Sequence, residues 1–168
     1  MRITAIATDN LPNRNWARFP ASELPRIAAT LNGNAASIDH SDSYLAQWGT
    51  VVRAWIESRE PSQDQLAKYG TILQKEGYQA VMVEIEARDG TVAPKEGDHL
   101  SITTLYEKLR CPDCTCEEGD AYDCNRGKKA LDEWGYLDRV GVADTLEISL
   151  VLIPAVKGAI VLSLGEIE

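Results

Sequence analysis

The two histidines of this sequence are the first side chains to consider for chemistry. His40 follows the stretch "ASID" in a polar segment, and His99 lies in "HLSITT". Histidine serves as a general base or a metal ligand because its ordinary pKa lies near neutrality. The residues around His40 leave three interpretations open: a catalytic base, a metal ligand, or a surface side chain in a turn.

The stretch "CPDCTCEEGDAYDC" contains all four cysteines of the chain, Cys111, Cys114, Cys116 and Cys124. A Cys-x-x-Cys pair lets two thiolates from one tight turn reach the same tetrahedral ion, and the other two sulfurs could complete the site. We therefore expect a structural zinc site. Four reduced cysteines or one local disulfide are the alternatives. Catalytic zinc is disfavoured because four sulfurs leave no open position for an activated water.

Composition and charge narrow the class of protein. The chain has 168 residues with a net charge of −9, and its pI is about 4.8. These values predict one domain over residues 1–168 and argue against a nucleic-acid-binding surface, which needs a basic patch. No apolar run approaches the roughly 18 residues of a membrane span, and the first residues lack the apolar core of a signal peptide. We expect a cytoplasmic location, where disulfides are rare.

The elements that must position the candidate side chains are mainly strands. Alternating and β-branched runs predict strands in "RITAIAT", "QWGTVVRAWIES", "YQAVMVEIEARDG", "HLSITTLYEKL", "DTLEISLVLIP" and "AIVLSL". A helix is predicted in "SELPRIAATLNG", with Ser22 as N-cap and Gly33 after its end. A second begins at Ser62 and Gln65, which have capping-box spacing, and ends at Gly77. A third, short helix is predicted in "GKKALDEWG". The pattern predicts an α+β, mainly β domain with a Cys-rich insert at 111–124.

Two predicted strands carry acidic residues whose role the alternation suggests. In "YQAVMVEIEARDG", Glu84 and Glu86 share the face opposite the apolar residues. In "LEISLVL" the residues Leu146, Ile148, Leu150 and Leu152 form the predicted core face. Glu147 and Ser149 lie opposite them, and we interpret this strand as scaffold.

Three blocks of the sequence resemble the head-maturation (prohead) proteases of tailed phages. The stretch "LEISLV" followed by Pro154 and Ala155 is similar to the family's closing strand. Phe19-Pro20 before a helix and Asp39-His40 after a short strand match its opening. "HLSITT" is similar to the family's serine strand, which reads roughly "Leu-Ser-Ile-Gly", although Thr103 stands here in place of the glycine. Some members also carry a Cys-rich insert after that strand.

The resemblance implies a fold and a mechanism. The fold would be that of the herpesvirus assemblin-like proteases, a small, mostly antiparallel β-barrel surrounded by a few short helices. Ser101 would be the nucleophile and His40 the general base that takes its proton. A third group should orient the histidine ring, and Glu84 and Glu86 are the first candidates. His99 is the rival, because it lies two residues from Ser101 on the same strand face.

The function implied is a serine endopeptidase of capsid maturation. It would cleave scaffold or capsid-protein segments inside the assembling procapsid, in the cytoplasm of the bacterial host. Its partners would be the phage scaffold and major capsid proteins, with neither nucleic acid nor a membrane involved, and a homo-oligomer is left open. One alternative is a catalytically inactive capsid or assembly protein on the same fold, with a structural zinc loop. Another is a zinc-stapled β domain that binds protein and is no enzyme.

Overall fold

The computed structural model describes residues 1–91, 94–112 and 135–165. Within them lie eight strands, two α-helices and one 3₁₀ turn at Tyr44–Ala46. The strands are β1 (Arg2–Asp9), β2 (Ala17–Arg18), β3 (Ala35–Ile38), β4 (Gly49–Ser58), β5 (Gln79–Ala87), β6 (His99–Arg110), β7 (Leu137–Val151) and β8 (Val161–Gly165). The helices are α1 (Leu24–Leu31) and α2 (Gln63–Glu76). The mainly β, α+β class predicted from the sequence is confirmed.

One sheet contains all eight strands, in the order β2-β7-β3-β4-β5-β1-β8, with β6 added alongside β7. Most neighbours are antiparallel, but β7 pairs in parallel with both β2 and β3. The strand ladders form an open sheet and not the closed barrel that the resemblance implies. A single bridge joins His99 of β6 to Ile160, just before β8.

The main core lies between the inner face of the sheet and α1. Helix α1 buries one face, which consists of Leu24, Ile27, Ala28 and Leu31, as its spacing predicts. Trp48 is among the largest fully buried side chains, and its indole nitrogen donates to the carbonyl of Ser37 at 2.7 Å. This bond fixes the end of β3, the strand that leads to His40.

The predicted helix ends are confirmed in α2 and partly wrong in α1. Ser62 and Gln65 form the capping box, and α2 ends at Gly77. Gly33 follows α1 with a φ of 84°, a conformation that glycine adopts without strain. Ser22, however, is not the N-cap of α1. Glu23 occupies that position without a side-chain cap, because its carboxylate accepts the backbone N–H of Val142 in β7 at 2.9 Å.

The face predicted for "LEISLVL" is correct in the middle of the strand and wrong at both ends. Ile148 is fully buried and Leu150 packs against the core, but Leu146 is 47% and Leu152 is 96% exposed. Leu146 is the extra residue of a bulge: Thr103 pairs with Glu147 and Thr104 pairs with Thr145. Leu152 lies beyond the last residue of β7.

Candidate functional site

The parallel pairing of β3 with β7 builds the floor of the candidate site. Ser37 is the partner of Ser149 in this ladder, and both side chains are buried. Their hydroxyl oxygens lie 2.6 Å apart. Because alternate residues of a strand share a face, Glu147 projects from the same side of β7 as Ser149. The two strands thus place two hydroxyls and one carboxylate together on the face opposite the core.

A tight turn after β3 directs His40 back over this floor. Asp39 and His40 have φ angles of 53° and 56°. Asp and His are among the few non-glycine residue types that are enriched in this left-handed region. The N–H of Asp39 donates to the carbonyl of Leu150 at 2.9 Å, and the N–H of His40 donates to the Ser149 hydroxyl at 3.0 Å. These bonds to β7 hold the two residues in a left-handed backbone conformation that is ordinarily unfavourable for residues other than glycine.

His40 and Glu147 form the central contact of the site. His40 Nδ1 lies 2.5 Å from Glu147 Oε1, with the histidine side chain 40% and the glutamate side chain 16% exposed. The other oxygen, Oε2, accepts from Ser37 at 2.7 Å and also from Ser149. An ionised carboxylate accepts hydrogen bonds only, so Nδ1 carries the proton in this pair and Nε2 is left as the basic nitrogen. Nε2 has no hydrogen-bond partner among the described residues.

The hydrogen bonds around Glu147 keep it ionised. Burial alone would raise the pKa of its carboxyl, but hydrogen bonds from Ser149, Thr103, His40 and Ser37 outweigh that effect and hold the pKa below its ordinary value. A carboxylate in this state can fix a histidine tautomer and stabilise an imidazolium.

Strand β6 brings Ser101 and Thr103 to the same face. Ser101 pairs with Ser149 and Thr103 pairs with Glu147 in the antiparallel ladder with β7. The Thr103 hydroxyl donates to Glu147 Oε1 at 2.6 Å and lies 3.2 Å from His40 Nδ1. The Ser101 hydroxyl makes no hydrogen bond to any described residue, and its side chain is partly exposed. It is therefore a free hydroxyl on the strand that borders the histidine–glutamate pair.

The other predicted third groups do not join His40. Glu84 pairs with Arg2 at 2.9 Å on β5, and Glu86 is an exposed residue of the same strand. Strand β4 separates β5 from β3 in the sheet. His99 is bridged to Ile160 at the start of β6, and its buried Nδ1 has no partner among the described residues. The alternation along β5 predicted Glu84 and Glu86 as partners of His40, but neither contacts it, because the strand order places β7 and not β5 beside β3.

Sequence reasoning missed four polar residues of the site: Ser37, Thr103 as a bonding group, Glu147 and Ser149. The sequence did contain a signal for two of them, since Glu147 and Ser149 were predicted to lie opposite the core face. We interpreted that face as scaffold. Only the parallel β3–β7 pairing, which joins residues more than a hundred positions apart, shows that it meets His40.

The predicted zinc ligands lie mostly outside the described residues. Cys111 is buried, whereas Cys114, Cys116 and Cys124, like the predicted helix in "GKKALDEWG", fall on residues that the structure does not describe. Among the described residues there is no group of three or more His, Cys, Asp or Glu side chains that could hold a metal ion. The zinc site stays a prediction.

A separate cavity of about 590 Å³ lies at the C-terminal end of β1. Asp9, Trp16, Tyr69 and Tyr136 are among its lining residues, and none of His40, Ser101 or Glu147 is. Burial raises the pKa of the Asp9 carboxyl to about 6, although hydrogen bonds from the Leu11 N–H and the Tyr78 hydroxyl act in the opposite direction. This cavity is distinct from the polar cluster around His40.

Comparison with known proteins found no matching family model, no matching curated protein and no matching solved structure. Within the described ranges, no helix has both the length and the apolar character needed to cross a membrane.

Proposed function

We propose that this chain is a serine endopeptidase in which Ser101 is the nucleophile, His40 the general base and Glu147 the group that orients the base. The single observation that carries the proposal is the 2.5 Å contact between His40 Nδ1 and an ionised Glu147, on the sheet face that also carries Ser101. A serine hydroxyl needs a base within reach before it can attack a carbonyl. The free Nε2 of His40 is the nitrogen suited to that task.

In the proposed reaction Ser101 Oγ attacks the scissile carbonyl while its proton moves to His40 Nε2. The imidazolium that forms is stabilised by Glu147, which stays ionised. His40 then gives the proton to the leaving amine as the peptide bond breaks, and Ser101 holds the acyl group. Water, deprotonated by His40, hydrolyses this ester and returns the proton to Ser101.

Ser101 makes no hydrogen bond to His40 in the absence of substrate. Catalytic hydrogen bonds are often long or poorly aligned in free enzymes and tighten only when substrate binds. Ser149 is no rival nucleophile, because it is fully buried and already bonded to Ser37, Glu147 and the His40 N–H.

The capsid role rests on the resemblance of the three sequence blocks to prohead proteases. On that basis we propose scaffold and major capsid proteins as substrates and the procapsid as the site of action. The barrel of that family is also a proposal. In support of it, backbone bonds of 2.9 Å from Leu100 N to Ala159 O and from Val161 N to Asp98 O link β6 to the start of β8. These bonds would close the strand order into a ring.

The decisive experiment is co-expression with the phage scaffold and major capsid proteins that are proposed as substrates. We expect the wild-type chain to cleave one of them, and Ser101→Ala, His40→Ala and Glu147→Gln to abolish the cleavage. Ser163→Ala, a change at an exposed serine of β8, is the matched control and should cleave normally. Cleavage that survives Ser101→Ala would rule out the assignment.

A catalytically inactive assembly protein is the second candidate, and one observation favours it. The Ser101 hydroxyl has no bond to His40, so the site could be a structural polar cluster on an inherited fold. This candidate predicts that the wild-type chain enters capsid shells without cleaving any component. It also predicts that Ser101→Ala assembles as the wild type does.

Zinc in the cysteine loop is proposed independently of either function. Metal analysis of the purified chain should find about one zinc per chain, and Cys111→Ser should lower that content. Equal metal content in the two proteins would remove the proposal.

A further inference from the structure

We propose that Thr103 is a positioning residue that ties the strand of the nucleophile to the His40–Glu147 pair. The inference rests on the proposed function, and it assigns a role to a residue at which this chain departs from the glycine of the family it resembles. The observation behind it is that one hydroxyl reaches both members of the pair, at 2.6 Å from Glu147 Oε1 and 3.2 Å from His40 Nδ1.

The two oxygens of Glu147 have separate sets of partners. Ser37 and Ser149, from β3 and β7, hold Oε2. His40 and Thr103 share Oε1. Thr103 is thus the donor that fixes the oxygen facing the histidine ring. Without this donor, Oε1 would have only the ring nitrogen as a partner. The carboxylate would then be held mainly through Oε2, and the orientation of Oε1 towards the ring would be less restricted.

Thr103 also supplies a link that the other groups lack. Ser37, Ser149 and Glu147 belong to β3 and β7, whereas Thr103 belongs to β6, two residues from Ser101 on the same face. Its hydrogen bond is the described side-chain contact that joins β6 to the histidine–glutamate pair. The bulge directly after it, where Leu146 is the unpaired residue, is a feature that redirects neighbouring side chains. This bond therefore couples the strand that carries Ser101 to the carboxylate that orients the His40 ring.

His40 is the titratable group that contacts Glu147 among the described residues, and the remaining contacts come from hydroxyls. Removing one hydroxyl should consequently act on the carboxylate itself. A donor to the charged form lowers the pKa of a carboxyl, so its loss raises that pKa.

The test compares three single variants by carbon-detected NMR titration of the Glu147 carboxyl in the full-length chain. Thr103→Val removes the hydroxyl at nearly constant volume, and we expect the pKa of Glu147 to rise. Thr103→Ser keeps the hydroxyl and should restore the wild-type value. Thr104→Val is the matched control, because the Thr104 hydroxyl is buried without a hydrogen-bond partner in the described part of the chain. It should leave the titration of Glu147 unchanged.

Cleavage kinetics give the second measurement. Thr103→Val should lower kcat about ten- to a hundredfold, the usual weight of one hydrogen bond to a charged group, with KM nearly unchanged. Thr103→Ser should recover most of kcat. An unchanged Glu147 titration in Thr103→Val would overturn the inference, even if cleavage fell. A shifted titration in a chain that cleaves nothing would uphold the contact and count against the protease instead.

Discussion

At the scale of single residues, the identity of the acid beside His40 matters most. Two carboxylates on β5, Glu84 and Glu86, fit the sequence pattern, but Glu147 on β7 has the contact. The difference is physical, since Glu147 receives several hydrogen bonds that keep it ionised, whereas Glu84 forms an ion pair with Arg2 at the surface.

Exchange of these acids for amides makes the first prediction. Glu147→Gln should lower kcat of the proposed cleavage by roughly two to four orders of magnitude, because an amide can hold the histidine in the wrong tautomer. Glu84→Gln should leave kcat within about twofold of wild type. Equal losses in the two variants, measured on the same substrate, would contradict the assignment of Glu147.

How much of the site the sequence could predict depended on how local each residue's environment is. Ser101 and His40 were predicted through short motifs, and the alternation of β7 placed Glu147 opposite the core. The contact between His40 and Glu147 depends on the parallel pairing of β3 with β7, which leaves no local signal. The turn residues Asp39 and His40 did suit a left-handed backbone, but the sequence could not show which strand the turn faces.

At the scale of elements, a buried group of ions joins β2, α2 and β7. The Arg18 guanidinium donates to Asp138 at 2.7 Å and to Glu76 at 2.8 Å, and it also lies over the ring of Tyr136. Arg18 and Asp138 are almost fully buried. Since β2 is only two residues long, this group adds side-chain contacts to a short ladder with β7.

The second prediction concerns this ion group. Arg18→Met should lower the free energy of unfolding by about 3–5 kcal/mol, because it leaves the buried Asp138 and the partly buried Glu76 without their cation. Arg2→Met, which removes the surface partner of Glu84, should cost less than about 1 kcal/mol. Urea unfolding at neutral pH measures both. Similar costs for the two variants would show that the buried group is not specially stabilising.

Local sequence signals predicted α2 and most of the strands, but not the N-terminus of α1. The capping box and the terminal glycine fixed α2, and alternation fixed most strand positions. The N-terminus of α1 was misjudged because Glu23 bonds to β7 instead of its own helix, a tertiary contact that no helix rule includes.

At the scale of the whole molecule, one buried carboxyl, that of Asp9, predicts how the free energy of unfolding changes with pH. Burial raises the pKa of the Asp9 carboxyl to about 6, from an ordinary 3.8. The folded chain therefore holds a proton on Asp9 that the unfolded chain has lost, between these two values. By linkage, this residue's contribution to stability falls as the pH rises through that window.

The third prediction follows from that sign. Asp9→Asn cannot ionise, so its stability relative to wild type should improve by about 2 kcal/mol between pH 4 and pH 7, for a shift of roughly two pKa units. Asp89→Asn, at an exposed position, should track the wild type at every pH. Urea unfolding across this range is the measurement, and parallel curves for Asp9→Asn and wild type would contradict the raised pKa.

The pairing of β3 with β7 also sets the order in which the molecule can mature. His40 and Glu147 are 107 residues apart, and Ser37 and Ser149 are 112 apart. Contacts between such distant residues close large loops and form late, whereas α2 forms from nearby residues and β4 pairs with β5 across only this helix. A nascent chain synthesised as far as β6 already contains His40 and Ser101. It still lacks Glu147 and strand β7, with which both β3 and β6 pair. Whatever reaction this site performs, it cannot begin until β7 has been made and has docked against β3.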